Sequence, residues 1–441
     1  MRIGLIAMSG IRVCDAELLR LGLTLPGFVE RSEAIASLPS LGLLTLAAMT
    51  PAGHEVAYRE VADLPGEGEP LEPFDLVGIS TFTAQAFEAY ELADRYRAAG
   101  TPVVIGGLHA TALAEEAAEH ADAVVVGEGE PVWAEVVADA EAGRLSPVYD
   151  ARMRQFDLGE APMPAYELLE LAKYNRVTVQ TSRGCPWRCE FCASSLLLSP
   201  RYKQKPVEKV LAEVDRICEL WPRPFIEFAD DNSFVNRRYW KELLPELAKR
   251  NVKWFTETDI SVAEDDDLLD MLRDAGCAEL LVGLESPVTD GLKGLEMRAD
   301  WKWHRLPRYR EAVRRIQSSG VRVNGCFVLG LDGHKPTIFS EVFAAAEQME
   351  LYDVQVTLQT PFPGTPLYER LTKEGRMLED RPWDRCTLFD LTHEPRGMSG
   401  EDLVKGLHEL AAALYSSDFT HWRRELFRHK YRRGRRQTGE G

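Results

Sequence analysis

The sequence predicts an α/β protein in three parts: a Rossmann-like parallel sheet, a partial (β/α)6 barrel of the TIM type, and a helical C-terminal region. Three observations carry this. Short β-branched runs alternate with helically spaced apolar residues from residue 1 to about 145, the pattern of a parallel sheet covered on both faces. The same rhythm resumes at residue 176 and gives six strand–helix units. It stops near Leu371, after which only helical spacing remains. The chain has 441 residues, too many for one ordinary domain, and 45% of them are hydrophobic, enough for a substantial core. The expected boundaries are 1–145 for the first sheet, 146–175 for a proline-containing linker, 176–370 for the barrel and 371–441 for the helical region.

In the first part RIGLIAM, HEVAYREV, DLVGIS, PVVIGG and DAVVVGEGE read as strands, and QAFEAYELADRYRAAG as a covering helix. Sheets of this kind bind ligands beyond the carboxyl ends of their strands. Three of those ends carry small residues: Ser80 and Thr81, Gly106 and Gly107, Gly127 and Gly129. They either make tight turns or let the backbone approach a flat ligand. No GxGxxG follows the first strand, which disfavours a dinucleotide fold.

The second part opens on RVTVQTS, a strand that runs into TSRGCPWRCEFCAS. Three of the chain's eight cysteines, Cys185, Cys189 and Cys192, stand on that loop, at the strand end where barrels place their chemistry. A structural zinc site takes four ligands, and no histidine lies within ten residues. A disulfide is out of place in a reducing compartment. Arg183, Pro186, Arg188 and Glu190 make the loop too polar for buried core. An iron–sulfur cluster is what remains: three thiolates on four irons leave one iron open to a ligand. Five further strands follow, at PFIEFAD, KWFTETD, AELLVGLES, VRVNGCFVLGLD and DVQVTLQ, and TPFPGTPLYERL closes the barrel mouth. Cys326 reads as core. Trp301, Trp303 and His304 read either as packing or as a face toward a bulky apolar substrate. The segment GEDLVKGLHELAAALYSSDFTHWRRELFRHK is an amphipathic helical stretch ending in the basic run FRHKYRRGRR, which is either a solvated tail or a contact for anionic lipid headgroups.

The net charge of −18 argues against nucleic acid as a partner. No apolar run approaches the ~20 residues of a membrane span. MRIGLIAMSG reads as a first strand and not as a signal peptide, which places the protein in the cytoplasm.

The spacing C-x3-C-x2-C resembles the radical S-adenosylmethionine (SAM) superfamily. The resemblance implies that Cys185, Cys189 and Cys192 hold a [4Fe-4S] cluster whose open iron chelates SAM, that one electron from a donor such as flavodoxin or ferredoxin cleaves SAM to a 5′-deoxyadenosyl radical, and that this radical opens an inert C–H bond. It places Phe191 near the adenine and Gly330 and Asp332 where the backbone meets it. Asp230 and Asp231 either bind the SAM ammonium or cap the next helix. Glu257, Glu285 and Ser286 line the SAM and substrate cleft. The first 140 residues, with SLPSLGLLTLAAMTPAGHEV, DLVGISTFT, VVIGGLHAT and VVVGEGEPVW, resemble the cobalamin-binding domain found ahead of many radical SAM domains. That implies cobalamin over Ser80, Thr81, Gly106, Gly107, Gly127 and Gly129. The Asp-x-His-x-x-Gly motif is absent, and His109 is either a loop residue beside the ligand or its axial ligand. LVGLESP, GVRVNGCFVLGLDG, PGTPLYERL, EGRML and ALYSSDF resemble the lipid-associated branch that includes the hopanoid C-2 methylase.

Together these resemblances imply a cobalamin-dependent radical SAM methyltransferase acting on an unactivated carbon of a lipid-like or secondary-metabolite substrate. A cyclase or rearrangement enzyme without methyl transfer and a non-catalytic cobalamin or redox sensor are the rivals. A methylthiotransferase is disfavoured because only Cys14 stands in the first domain.

Overall fold

A computed structural model of the protein describes residues 1–21, 34–35, 38–64, 71–199 and 201–431. The α/β architecture is the one expected: two parallel six-stranded sheets in series, then helices.

The first sheet holds β1 (Arg2–Met8), β2 (Glu55–Val61), β3 (Leu76–Ser80), β4 (Val103–Gly106), β5 (Ala123–Val126) and β6 (Val148–Asp150). Their spatial order is β2-β1-β3-β4-β5-β6, every pair parallel. β1 is buried from Ile3 to Met8, which suits a continuous apolar run covered on both faces. β6 falls inside the stretch expected as linker. PVYD is too short and too polar at its ends to announce a strand, and its three residues are held by pairing with β5.

The second sheet runs in chain order: β7 (Val177–Val179), β8 (Phe225–Phe228), β9 (Lys253–Thr258), β10 (Cys277–Glu285), β11 (Arg322–Leu329) and β12 (Asp353–Leu358). Each strand pairs in parallel with the next, and each connection carries a helix, so the sheet is the partial barrel expected. Helix α1 (Val207–Leu220), between β7 and β8, shows why: Val210, Val214 and Ile217 recur at helical spacing and are all buried. Helix α2 (Arg237–Arg250) is capped by Asn236, whose side chain accepts from the Tyr239 N–H, and ends at Asn251 in the left-handed region. Phe228, Trp240 and Trp254 pack ring to ring, with centroids 5.2–5.8 Å apart, where α2 meets the sheet.

The C-terminal helices α3 (Gly400–Leu414) and α4 (Ser417–Lys430) pack on the last strand. Tyr415 Oη donates to Val354 O at 3.0 Å, and buried Arg423 pairs with Asp353 at 3.2 Å. Residues 432–441, with most of the basic run, lie outside the described residues. Among the described residues no helix is long and apolar enough to cross a membrane.

Candidate active site at the facing strand ends

The cysteine loop is built by hydrogen bonds from neighbouring strand ends. Asp230, just after β8, accepts from the N–H groups of Thr181 (2.7 Å) and Ser182 (2.9 Å) and from Ser233 Oγ (3.0 Å). Asp231 accepts from Gly184 N–H at 2.6 Å and from Ser194 Oγ, so it clasps the loop on both sides of the cysteines. Asp259, after β9, accepts from Trp187 Nε1 and from Asn232 Nδ2, both at 2.8 Å. A strap of residues 294–301 closes the far side: Cys189 bridges Glu296, Glu190 N–H donates to Leu295 O at 3.0 Å, and Trp187 stacks on Trp301 with centroids 4.5 Å apart.

Gly184 enables the entry to this loop. Its φ is +85°, and a Cβ there would stand 2.7 Å from Arg201 O and 2.8 Å from Ser199 O. Those are backbone atoms that cannot swing aside, and the left-handed conformation costs a residue with a side chain ~1–3 kcal/mol in addition. Gly184→Ala is therefore expected to unfasten the loop and cut iron incorporation severalfold, read as iron per chain after reconstitution. Full iron content in that variant would show that the loop tolerates the clash.

Burial keeps the three thiols protonated. Cys185 is pushed up to about 11 by burial, and burial also raises Cys192. It raises Cys189 further, against the pull of the nearby Lys302 ammonium. Ser195 Oγ stands 3.1 Å from Cys192 Sγ and Asn232 Nδ2 3.8 Å from Cys185 Sγ, so donors already face two of the sulfurs. Binding iron must displace three protons from these sites.

The barrel interior is acidic. Glu257 keeps an exposed side chain although protein atoms of several strands crowd around it. Burial first, and then the carboxylates of Glu227 and Asp231, raise its carboxyl to about 7. Cys326, expected in the core, is only partly buried and has Glu285, Glu257 and Lys302 as its charged neighbours. The folded chain holds the Glu257 proton up to about pH 7, whereas the unfolded chain releases it near ~4.3. The folded state thus binds more protons between those values, and this group's contribution to stability is lost as the pH rises through them. Glu257→Gln removes the penalty, so its melting temperature should exceed the wild type's at pH 8 and match it at pH 4. An equal offset at both pH values would show that the carboxyl does not titrate there.

Residues 179–346 match the radical SAM superfamily and residues 33–137 match the B12 binding domain. The chain carries a B12-binding domain followed by a radical SAM domain. It is 26% identical over 381 residues to bacteriochlorophyllide d C-12(1)-methyltransferase of Chlorobaculum tepidum, covering 85% of this chain and 82% of that protein. It is 28% identical over 398 residues to hopanoid C-2 methylase of Rhodopseudomonas palustris, covering 88% and 74%. In fold it is similar to the radical SAM methyltransferase TsrM of Kitasatospora setae, solved with cobalamin and a [4Fe-4S] cluster, with a TM-score of 0.68 at 16% identity over 98% of this chain and 99% of that one. The radical SAM domain implies SAM and a [4Fe-4S] cluster, and the B12-binding domain implies cobalamin.

The residues present fit these groups. Among the described residues no three His, Cys, Asp or Glu side chains are grouped to hold a single metal ion. A four-iron cube takes its thiolates at separate corners, and three thiols on one clasped loop supply that donor set. A cavity of about 390 Å³ is walled by Glu190, Leu295, Leu331, Asp332, Gln359 and Arg370, and none of the three cysteines lines it. On the B12-binding side Phe82, directly after Ser80 and Thr81, is 57% exposed, an aromatic face that a flat macrocycle can cover.

Other expected site residues take different places. The carboxylates of Asp230 and Asp231 fasten the loop, and the next helix is capped by Asn236 instead; Asp230 is buried and Asp231 partly exposed. Phe191 is half-buried against the core. Asp332 is held by Arg370 (2.6 Å) and Arg376 (2.8 Å). Buried Ser286 pairs with His334 Nε2 at 3.0 Å. Glu285 pairs with Lys302 Nζ at 2.7 Å, which its place at the strand end gave no reason to expect. Gly330 has φ +83°, and a Cβ there would meet Leu403 of α3 at 2.9 Å, so helix packing already accounts for it. Gly107 (φ +99°) and Gly127 (φ +89°) are likewise turned, and a Cβ on either would meet backbone of this chain: Thr81 O at 2.9 Å and Arg152 N at 3.2 Å. A Cβ on Gly106 would make only ordinary contact with Val125, and one on Gly129 would meet Leu46. Gly107 and Gly127 thus serve turns and close packing, whereas Gly106 has room for a side chain. His109 is fully buried, its Nε2 3.0 Å from Tyr90 Oη and 3.3 Å from Glu116 Oε1, edge-on to Trp383. Its Nδ1 is buried without a hydrogen-bond partner. Trp301 is packing against the cysteine loop, and Trp303 stacks edge-on against His304.

Proposed function

We propose that this protein is a cobalamin-dependent radical SAM methyltransferase that methylates an unactivated carbon of a lipid-like, pigment-like or other secondary-metabolite molecule. The observation that carries it is the meeting of two strand-end loops: the one after β5, in the B12-binding domain, lies against the one that bears the cysteines. When bound, the cluster and SAM supply a hydrogen-abstracting radical and cobalamin supplies the methyl group. The similarity to enzymes that methylate bacteriochlorophyllide and hopanoid supports the substrate class.

The chain's own part is holding and shielding. Cys185, Cys189 and Cys192 would ligate the cluster, with Ser195 and Asn232 donating to two of the sulfurs. Asp230 and Asp231 keep the loop in place. Glu257, near the end of β9 with its carboxyl raised to about 7, can hold or release a proton. An electron donor such as flavodoxin or ferredoxin, a cytoplasmic location and a peripheral membrane contact through the basic C-terminal run complete the reading.

The test is anaerobic reconstitution followed by incubation with methyl-labelled SAM, reductant and a lipid and pigment extract. Label in a product heavier by one methyl group, together with 5′-deoxyadenosine, is the expected result. SAM cleavage without label transfer would favour cyclisation or rearrangement, and cobalamin binding without SAM cleavage would favour a sensor.

A further inference from the structure

Four charged side chains meet between the two domains, the carboxylates buried and the cations partly so, Arg183 17% and Lys203 20% exposed. Arg183 uses its whole guanidinium: Nε donates to Gln180 Oε1 at 2.7 Å, Nη1 to Glu128 Oε1 at 3.1 Å and Nη2 to Glu130 Oε1 at 2.5 Å. Lys203 Nζ donates to Glu128 as well. The two carboxylates are 8% and 5% exposed, and two positive charges close on two negative ones.

The positions of these residues matter more than their number. Ser182–Arg183 pairs antiparallel with Lys203–Gln204, so both cations sit on one ribbon that flanks the cysteine loop, and Arg183 stands two residues before Cys185. Glu128 lies between Gly127 and Gly129 at the end of β5, and Glu130 follows. The ion-pair group therefore ties the loop at the cobalamin side directly to the loop at the cluster side. Such buried pairs add little net stability over apolar packing of the same volume, and fixing one register is their best-attested use. A fork with three engaged nitrogens fixes direction as well as distance, which a lysine cannot do.

We propose that Arg183, with Glu128, Glu130 and Lys203, is a positioning device that sets the cobalamin loop against the cluster loop. This rests on the methyl-transfer reading, in which hydrogen removal and methyl delivery occur at one carbon. Two such sites work together only when held to within ~0.5 Å of the productive geometry. Loosening the group leaves each cofactor in its own domain and SAM cleavage intact, but fewer cleavages end in methylated product.

The experiment uses the full chain loaded with both cofactors. Arg183→Met and Glu130→Gln are compared with wild type for iron and cobalamin content, for 5′-deoxyadenosine formed per methylated product, and for the relaxation enhancement of the Co(II) EPR signal by the reduced cluster. Expected for Arg183→Met are full cofactor content, a deoxyadenosine-to-product ratio at least tenfold higher and a weakened spin interaction. Glu130→Gln shows the same changes at smaller size and carries the test if Arg183→Met does not fold, and Arg183→Lys falls between wild type and Arg183→Met. Unchanged ratio and spin interaction in the loaded variants would overturn the proposal. So would loss of the cluster in both, which would make the group a support for the cysteine loop alone. A wild type that cleaves SAM but methylates nothing refutes the methyl-transfer reading instead, and the spin interaction, which needs no substrate, still decides this one.

Discussion

Cys189→Ala is expected to abolish the cluster signal and lower reductive SAM cleavage to background, a loss on the order of 10³-fold or more for a group that acts as part of one unit. Cys189 is the most enclosed of the three thiols, 7% exposed, and it sits where the strap from Glu296 pairs with the loop. With two thiolates left, a four-iron cluster has too few anchors on this loop to leave a single defined open iron. The loop itself should survive, because its clasps run through Asp230, Asp231 and Asp259 and not through the sulfurs. Cys277→Ala and Cys386→Ala are the controls: both thiols are buried away from the loop, and their loss costs stability without touching iron content. The measurements are iron per chain, the low-temperature EPR signal after reduction, and 5′-deoxyadenosine formed. SAM cleavage in Cys189→Ala at the wild-type rate would remove the radical SAM mechanism from this site.

What was legible in the sequence follows physical range. All six barrel strands stood out because each is a run of β-branched or aromatic residues bounded by turn formers, a signal contained within ten residues. The cysteine triplet was legible for the same reason. Contacts across long stretches of sequence were not. Nothing in SRGCP announces that Arg183 reaches Glu128, 55 residues away in sequence, and nothing in WKWHR separates the buried Lys302 from its exposed neighbour His304. The aspartates after β8 were noticed as polar residues at a strand end. Which of their oxygens remain open to a ligand depends on the fold of a different segment, and there Thr181, Ser182 and Gly184 take them up. Nor does a glycine say what fills the space of its missing side chain: at Gly107 and Gly127 it is this chain's own backbone.

Lys302→Met should cost ~3–5 kcal/mol of stability, the range for removing one partner of a buried ion pair and leaving the other charge unpaired. Lys302 is 7% exposed and Glu285 8%. The ammonium donates to Glu285 Oε1 at 2.7 Å and to Gly283 O at 2.9 Å, and although burial works against its charge, the carboxylate holds it charged well above the ordinary lysine range. The surrounding backbone is shaped for the pair. Glu285 lies at φ +61°, the pairing of β10 with β11 shifts register between Gly283 and Glu285, and a Cβ on Gly283 would stand 2.7 Å from Glu285 Oε1 and 3.0 Å from Lys302 Nζ. A non-glycine residue in the left-handed region persists only where its surroundings over-determine it, and here the Lys302 contact is part of that determination. Removing the ammonium also takes away a positive charge that acts on Cys189, so the variant should bind iron less well than its residual folding alone would give. The double variant Lys302→Met with Glu285→Gln leaves no buried charge behind and should recover most of the lost stability while its SAM cleavage stays impaired. Denaturant unfolding of the three chains, with iron content measured in parallel, separates the two effects. A single variant as stable as wild type would mean that water reaches Glu285 freely and that the pair is not buried in solution.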